Sequence, residues 1–114
     1  MTLAEVIDAL GLEAVCLPDG TRTITAVYTS DLLSDVMAHA TAESLLVTIQ
    51  NHRNSVAVAT LVNARAILIC HRREIPPEML EAAQAEGIAL LRTGMDQFTA
   101  SCRLGALPGL GDGE

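Results

Sequence analysis

The chain has 114 residues, the size of one ordinary domain, and carries a formal net charge of −7. All seven basic side chains are arginines, so lysine chemistry is excluded, and the acidic surface repels phosphate backbones and disfavours nucleic-acid binding. One Tyr, one Phe and no Trp leave no aromatic platforms for stacking bases, so the core must be built from Ala, Val, Ile, Leu and Met.

Thr2 caps a first helix from Leu3 to Leu10, closed by Gly11, with Leu3, Val6, Ile7 and Leu10 on one face. Glu13 to Leu17 reads as a strand, stopped by the turn Pro18-Asp19-Gly20, and Thr23 to Tyr28 as a second extended run. Ser30-Asp31 opens and caps the next helix, whose face is Leu32, Leu33, Val36, Met37 and Ala40. Leu45 to Ile49 is a continuous apolar strand, and Gln50 to Asn54 a polar loop. Asn54 or Ser55 then caps a helix from Val56 to Val62 that is apolar all round and therefore expected to be buried.

The pattern repeats. Ala66 to Ile69 is a strand and Cys70 to Glu74 a polar loop; Pro76-Pro77 starts a helix ended by Gly87. Ile88 to Leu91 is a strand, Arg92-Thr93-Gly94 a turn, and Met95 to Leu104 the last helix. Strand and helix alternate with short connections, which predicts a three-layer α/β/α domain with a mainly parallel sheet and right-handed crossovers. The domain is expected over residues 1–107, with 108–114 as a Gly-rich flexible tail.

In open parallel sheets ligands bind outside the carboxyl ends of the strands, where helix N-termini converge. Here those ends carry Thr29-Ser30-Asp31, Gln50 to Asn54, Cys70 to Glu74 and Arg92-Thr93-Gly94, the most polar stretches of an apolar chain. Asp31, Gln50, Asn51, His52, Arg53, Asn54, Cys70, His71 and Arg72 are the candidate ligand-binding set; Arg53, Arg72 and Arg73 are able to hold a phosphate in bidentate fashion. The nearby Ser34 and Asp35 form an acidic hydroxyl pair with Ser30 and Asp31. The spacing of His52, Cys70 and His71 fits no standard zinc pattern, and neighbours on a strand point to opposite faces, so neither a metal site nor a Cys70 nucleophile is expected. Cys16 and Cys102 read as buried apolar residues. No Walker-type phosphate loop, no GxGxxG and no GxSxG occurs, so the sequence reads as non-enzymatic and without a cofactor.

No apolar run approaches the ~20 residues that span a bilayer, and the N-terminus carries an early acid in place of a basic leader. Three cysteines without close pairs suit reduced thiols, and the expected location is cytoplasmic.

The stretch Ser30-Asp31-Leu32-Leu33-Ser34-Asp35-Val36-Met37-Ala38, followed by Val47 to Ala59, resembles stand-alone DRTGG-domain proteins, often labelled serine kinase of the HPr protein or carbohydrate-metabolism regulator. The likeness continues through Ile67 to Pro77, Ala85 to Ile88 and Thr93 to Phe98, and so spans nearly the whole chain. It implies a fold like the N-terminal domains of HPr kinase and Mur ligases. It implies no kinase activity, because in HPr kinase the phosphate loop lies in a separate domain. The naming motif is partly kept: its Asp-Arg pair falls on His52-Arg53, and its Thr-Gly-Gly on Cys70-His71-Arg72. The expectation is a non-catalytic regulatory domain, a homodimer, that binds a small anionic metabolite or nucleotide at the strand ends. The alternative is a protein-interaction adaptor for a redox or signalling partner, with no small-molecule ligand.

Overall fold

A computed structural model describes residues 1–110. Its element order is α1 (Leu3–Leu10), β1 (Glu13–Cys16), β2 (Ala26–Thr29), α2 (Leu33–His39), β3 (Ser44–Thr48), α3 (Arg53–Leu61), β4 (Ala66–Ile69), α4 (Pro77–Glu86), β5 (Ala89–Arg92) and α5 (Gln97–Gly105). The five strands form one sheet in the order β1-β5-β4-β3-β2. β2 to β5 run parallel, and β1 closes the β5 edge in the antiparallel sense, with a register irregularity between Ala14 and Cys16.

The order follows from local rules. Strands β2 to β5 are laid down side by side, each joined to the next by a helix, and crossovers of one hand put α2, α3 and α4 on one face. The period-2 alternation of the strands supplies an apolar surface for each face. Leu46, Ile67, Ile69 and Leu90 pack with Val36, Val56, Ala59, Met79 and Ala83 under those three helices. Leu45, Val47, Leu68 and Leu91 face the other way, where Leu3 and Val6 of α1 and Ala100 and Leu104 of α5 cover them. The three-layer α/β/α arrangement with a mainly parallel sheet is therefore the observed fold.

The caps explain most element ends. Thr2 and Glu5 form a reciprocal capping box at α1, and Gly11 and Gly87 end α1 and α4 in the left-handed conformation. At α3 the sequence reading is corrected: the helix starts at Arg53, and its cap is His52, whose Nδ1 accepts from the Asn54 amide at 3.0 Å. Ser55 lies one turn inside and donates to the Gln50 carbonyl at 2.6 Å. That helix is not buried all round either, for Leu61 is 67% exposed and Ala57 faces outward. Leu110 belongs to the α1/α5 core although the tail was expected from residue 108; the rest of that tail, 111–114, lies outside the described residues. Among the described residues no helix is long and apolar enough to cross a membrane.

Candidate functional site at the carboxyl edge of the sheet

Successive strands here do not all send the chain to the same face. After β4 the chain enters α4 on one side, and after β5 it enters α5 on the other. Divergence of this kind opens a crevice between neighbouring strand ends and is the usual seat of ligands in open α/β sheets. In this protein the crevice is bridged by the chain itself. His71 and Arg72 both take the left-handed conformation, at φ 59° and 50°. Their amides donate to the carbonyls of Met95 at 3.0 Å and Thr93 at 2.7 Å. These are two of the three positions where the resemblance puts Thr-Gly-Gly. Two residues other than glycine thus hold the left-handed conformation, and the loop amides are engaged by the β5–α5 connection.

Asp31 is the hub of the opposite end of the edge. Its Oδ1 accepts from the Thr48 hydroxyl and the Ile49 amide, both at 2.9 Å, and from Gln97 Nε2 at 2.8 Å. Oδ2 accepts from the same Gln97 amide at 2.9 Å, and the Asp31 carbonyl accepts from Gln50 Nε2 at 2.9 Å. Partial burial raises the carboxyl's pKa, but the bonds from Gln97, Ile49 and Thr48 and the charge of Arg73 outweigh it and hold it below the ordinary aspartate range. The expected helix-capping role of Asp31 is corrected: α2 begins two residues later, and the side chain ties β3 to α5 instead. Ser30 caps its own turn by accepting from the Leu32 amide at 3.1 Å. Asp35 joins a separate surface group, accepting from the Tyr28 hydroxyl at 2.7 Å and lying 3.1 Å from His39 Nδ1.

The nine expected residues therefore separate into three groups. Asp31 and Gln50 bond to each other, Asn51 donates to the Glu74 carbonyl at 2.6 Å, and His52 caps α3, so these four hold the loops together. Cys70 is 0% exposed and belongs to the core; its thiol faces no solvent, and a direct ligand contact there is corrected. Burial, with the charges of Asp31 and Asp96, pushes that thiol up to about 11, which removes thiolate chemistry at neutral pH. Cys16 is buried as expected, whereas Cys102 is exposed. Arg53, Asn54, His71 and Arg72 remain on the surface. Among the described residues no three His, Cys, Asp or Glu side chains are grouped to hold a metal.

Charge separates along the sheet axis. Arg22 donates to the Gly87 carbonyl at 3.2 Å and Arg65 pairs with Glu43 at 3.1 Å, both at the amino ends of the parallel strands. Arg92 is paired with Glu13 at 2.9 Å. Among the described residues Arg53, Arg72, Arg73 and Arg103 have neither an ion pair nor a side-chain hydrogen bond. The first three sit in the loops or first helical turn at the carboxyl edge. Two hollows open beside them. One of about 400 Å³ is lined by His52, Arg53, Pro76, Glu78 and Met79, between the N-termini of α3 and α4. The other, of about 480 Å³, lies at the β5–β1 edge and includes Arg72, Arg92 and Arg103. Arg92 ends β5 at a stretch that the sequence marks as polar. Gln97 and Thr48 are ordinary polar residues without a motif, and Arg103 lies inside α5, so these three carry no signal in the sequence.

No protein-family model matches the chain, and no curated protein matches its sequence. Among solved structures, the chain is similar to the CBS and DRTGG domains of the regulatory region of Clostridium perfringens pyrophosphatase, complexed with the activator diadenosine tetraphosphate. The TM-score is 0.71 at 17% identity, over 89% of this chain and 44% of that one, so this chain spans less than half the length of that neighbour. At this identity the likeness is one of fold, and the fold is DRTGG-like.

Proposed function

We propose that this protein is a non-catalytic regulatory domain that binds a small anionic metabolite, of the nucleotide class, at the carboxyl edge of its sheet. The reading rests on one observation: the arginines without carboxylate partners collect at or beside that edge, in a chain whose net charge is −7. Arginines at a helix N-terminus and a strand end offer flat donor forks to phosphate or carboxylate oxygens. Arg53, Asn54, His71 and Arg72 are the contacts, and Asp31, Gln50, Asn51 and His52 shape the loops that carry them. Cys70 is buried in the core and its thiol pKa is raised by that burial, so it is not one of the contacts. The fold neighbour is part of a regulatory region crystallised with a dinucleotide activator, which favours a nucleotide over other anions. The likeness to the HPr kinase N-terminal domain and a cytoplasmic location belong to the same reading.

A thermal-shift screen against nucleotides, dinucleotides, sugar phosphates and di- and tricarboxylates tests it. A ligand at about 100 times its dissociation constant adds nearly 3 kcal/mol, a rise of several degrees. A flat response to the whole panel sinks the reading.

A second reading has its own observation. Val56, Ala57, Thr60, Ala82 and Ala85 line an apolar groove of about 440 Å³ between α3 and α4, with Arg53 and Glu86 among its lining residues. Arg53 opens α3 and Glu86 ends α4, so a two-fold axis across the groove sets Arg53 of one copy against Glu86 of the other. The homodimer is proposed on this face, and a monomer mass by light scattering at micromolar concentration contradicts it; the adaptor role uses the same groove for a different protein partner.

A further inference from the structure

The hollow at the β5–β1 edge takes in Arg72, Arg92, Thr93 and Gly94 from the strand ends and adds Arg103 and the α1–β1 turn, which the sequence does not mark. It is walled by the turn from α1 into β1, by the end of β5 and by α5, and its volume is about 480 Å³. Three of its lining side chains are arginines, Arg72, Arg92 and Arg103, against one acid, Glu13. Arg92 meets Glu13 in a two-pronged pair, Nε to Oε1 at 2.9 Å and Nη2 to Oε2 at 3.0 Å, which fixes both side chains on adjacent strands. Arg72 and Arg103 then bring two positive charges to the hollow that no carboxylate of the described residues pairs.

Arg72 is held there by more than its own flexibility. Its backbone sits in a conformation that costs free energy for any L side chain, and its amide is bonded to Thr93. Its guanidinium lies on Gly94, so closely that a Cβ at that position would be 3.2 Å from Nη2. Gly94 is itself in an ordinary backbone conformation, so its lack of a side chain serves the space above it.

We propose that this hollow binds a phosphoryl or pyrophosphoryl group, with Arg72 and Arg103 as its ligands, Arg92 as a third contact pinned by Glu13, and Gly94 as the positioning residue that lets Arg72 lie flat. Two free guanidinium forks match a group carrying two or more charges and tetrahedral oxygens. The volume leaves space for a moiety attached to the phosphate, up to the size of a nucleoside. The inference rests on the anionic-ligand reading above and narrows it to a place and a chemical class.

The test is a ¹⁵N-resolved NMR titration of the full chain with pyrophosphate, beside Arg103→Ala, Gly94→Ala and Arg53→Ala. All three positions are exposed, and the dispersion of each spectrum reports whether the variant is folded. The expected result is saturable shifts at Gly11, Thr93 and Gly94. Affinity falls about 10- to 100-fold in Arg103→Ala, the usual effect of losing a charge-assisted hydrogen-bonding partner. It falls also in Gly94→Ala. Shifts centred on Asn54 that vanish in Arg53→Ala and persist in Arg103→Ala overturn this site but keep the anionic-ligand reading. Binding of citrate without pyrophosphate overturns the phosphoryl class, and no saturable binding of either overturns the site and that reading together.

Discussion

Replacing Asp31 with alanine removes one acceptor from three donors at once: the Thr48 hydroxyl, the Ile49 amide and the Gln97 amide. Gln97 is on the rim and can turn to water. Thr48 is 3% exposed and cannot. A buried donor that loses its partner costs about 1–3 kcal/mol. Thr48 and Ile49 together therefore give about 2–4 kcal/mol, which for a domain of this size lowers the melting temperature by roughly 8–16 °C. Urea unfolding at neutral pH should show the midpoint falling with the slope unchanged. Asp31→Asn keeps an oxygen for Thr48 and Ile49 but sets its amide against that of Gln97, so its loss should be smaller. The pH dependence has a fixed sign. The carboxyl's folded pKa lies below its unfolded value of about 3.9, so its contribution is complete above that value and disappears as pH falls through the folded pKa. The gap between wild type and Asp31→Ala should accordingly close in acid. A loss under about 0.5 kcal/mol at neutral pH would refute the hub, because surface substitutions alone reach that size.

Three further outcomes follow from the same geometry. Thiol labelling of the native protein at mildly alkaline pH should modify Cys102 alone, with Cys16 and Cys70 reacting after denaturation; fast native labelling of Cys70 contradicts its burial and its pKa of about 11. Tyr28 is the only tyrosine and there is no tryptophan, so an ultraviolet absorbance titration reads it directly. Its hydrogen bond to Asp35 raises its pKa above the ordinary value, and Asp35→Asn should bring it down; an unchanged midpoint refutes the pair. Ser44 is fully buried and its hydroxyl has no partner among the described residues, so Ser44→Ala should leave stability unchanged or raise it by about 1 kcal/mol; a clear loss in urea unfolding means that a hidden partner exists.

The layers were legible because they depend on pattern. The apolar runs Leu45 to Ile49, Ala66 to Ile69 and Ile88 to Leu91, each followed by a helix, leave a parallel sheet as the one economical arrangement. Helix starts were less so. His52 caps α3 because an imidazole nitrogen can do what an Asn or Ser oxygen does, and the composition rules favour the commoner residues Asn54 and Ser55. β1 carried no mark of its direction; only its pairing Glu13 to Arg92 at the β5 edge reveals it. At the candidate site, the polar loops were visible but their allegiance was not. Whether Asn51 faces a ligand or the Glu74 carbonyl depends on a contact 23 positions away in sequence, and Arg103 reaches its hollow from a helix that lies far along the chain from Leu10 and Glu13. Cys70 was read as the start of a loop, but its side chain continues the alternation of β4 and points into the core with Ala66 and Leu68.

The central claim is that arginines at the carboxyl edge bind an anionic ligand. Its most direct test is a calorimetric titration of the intact protein with nucleoside polyphosphates, run beside the Arg53→Ala/Arg72→Ala double variant at low and at raised salt. Saturable binding that weakens with salt and is lost in the double variant is the expected result. No binding by the wild type, or equal binding by both proteins, would contradict it.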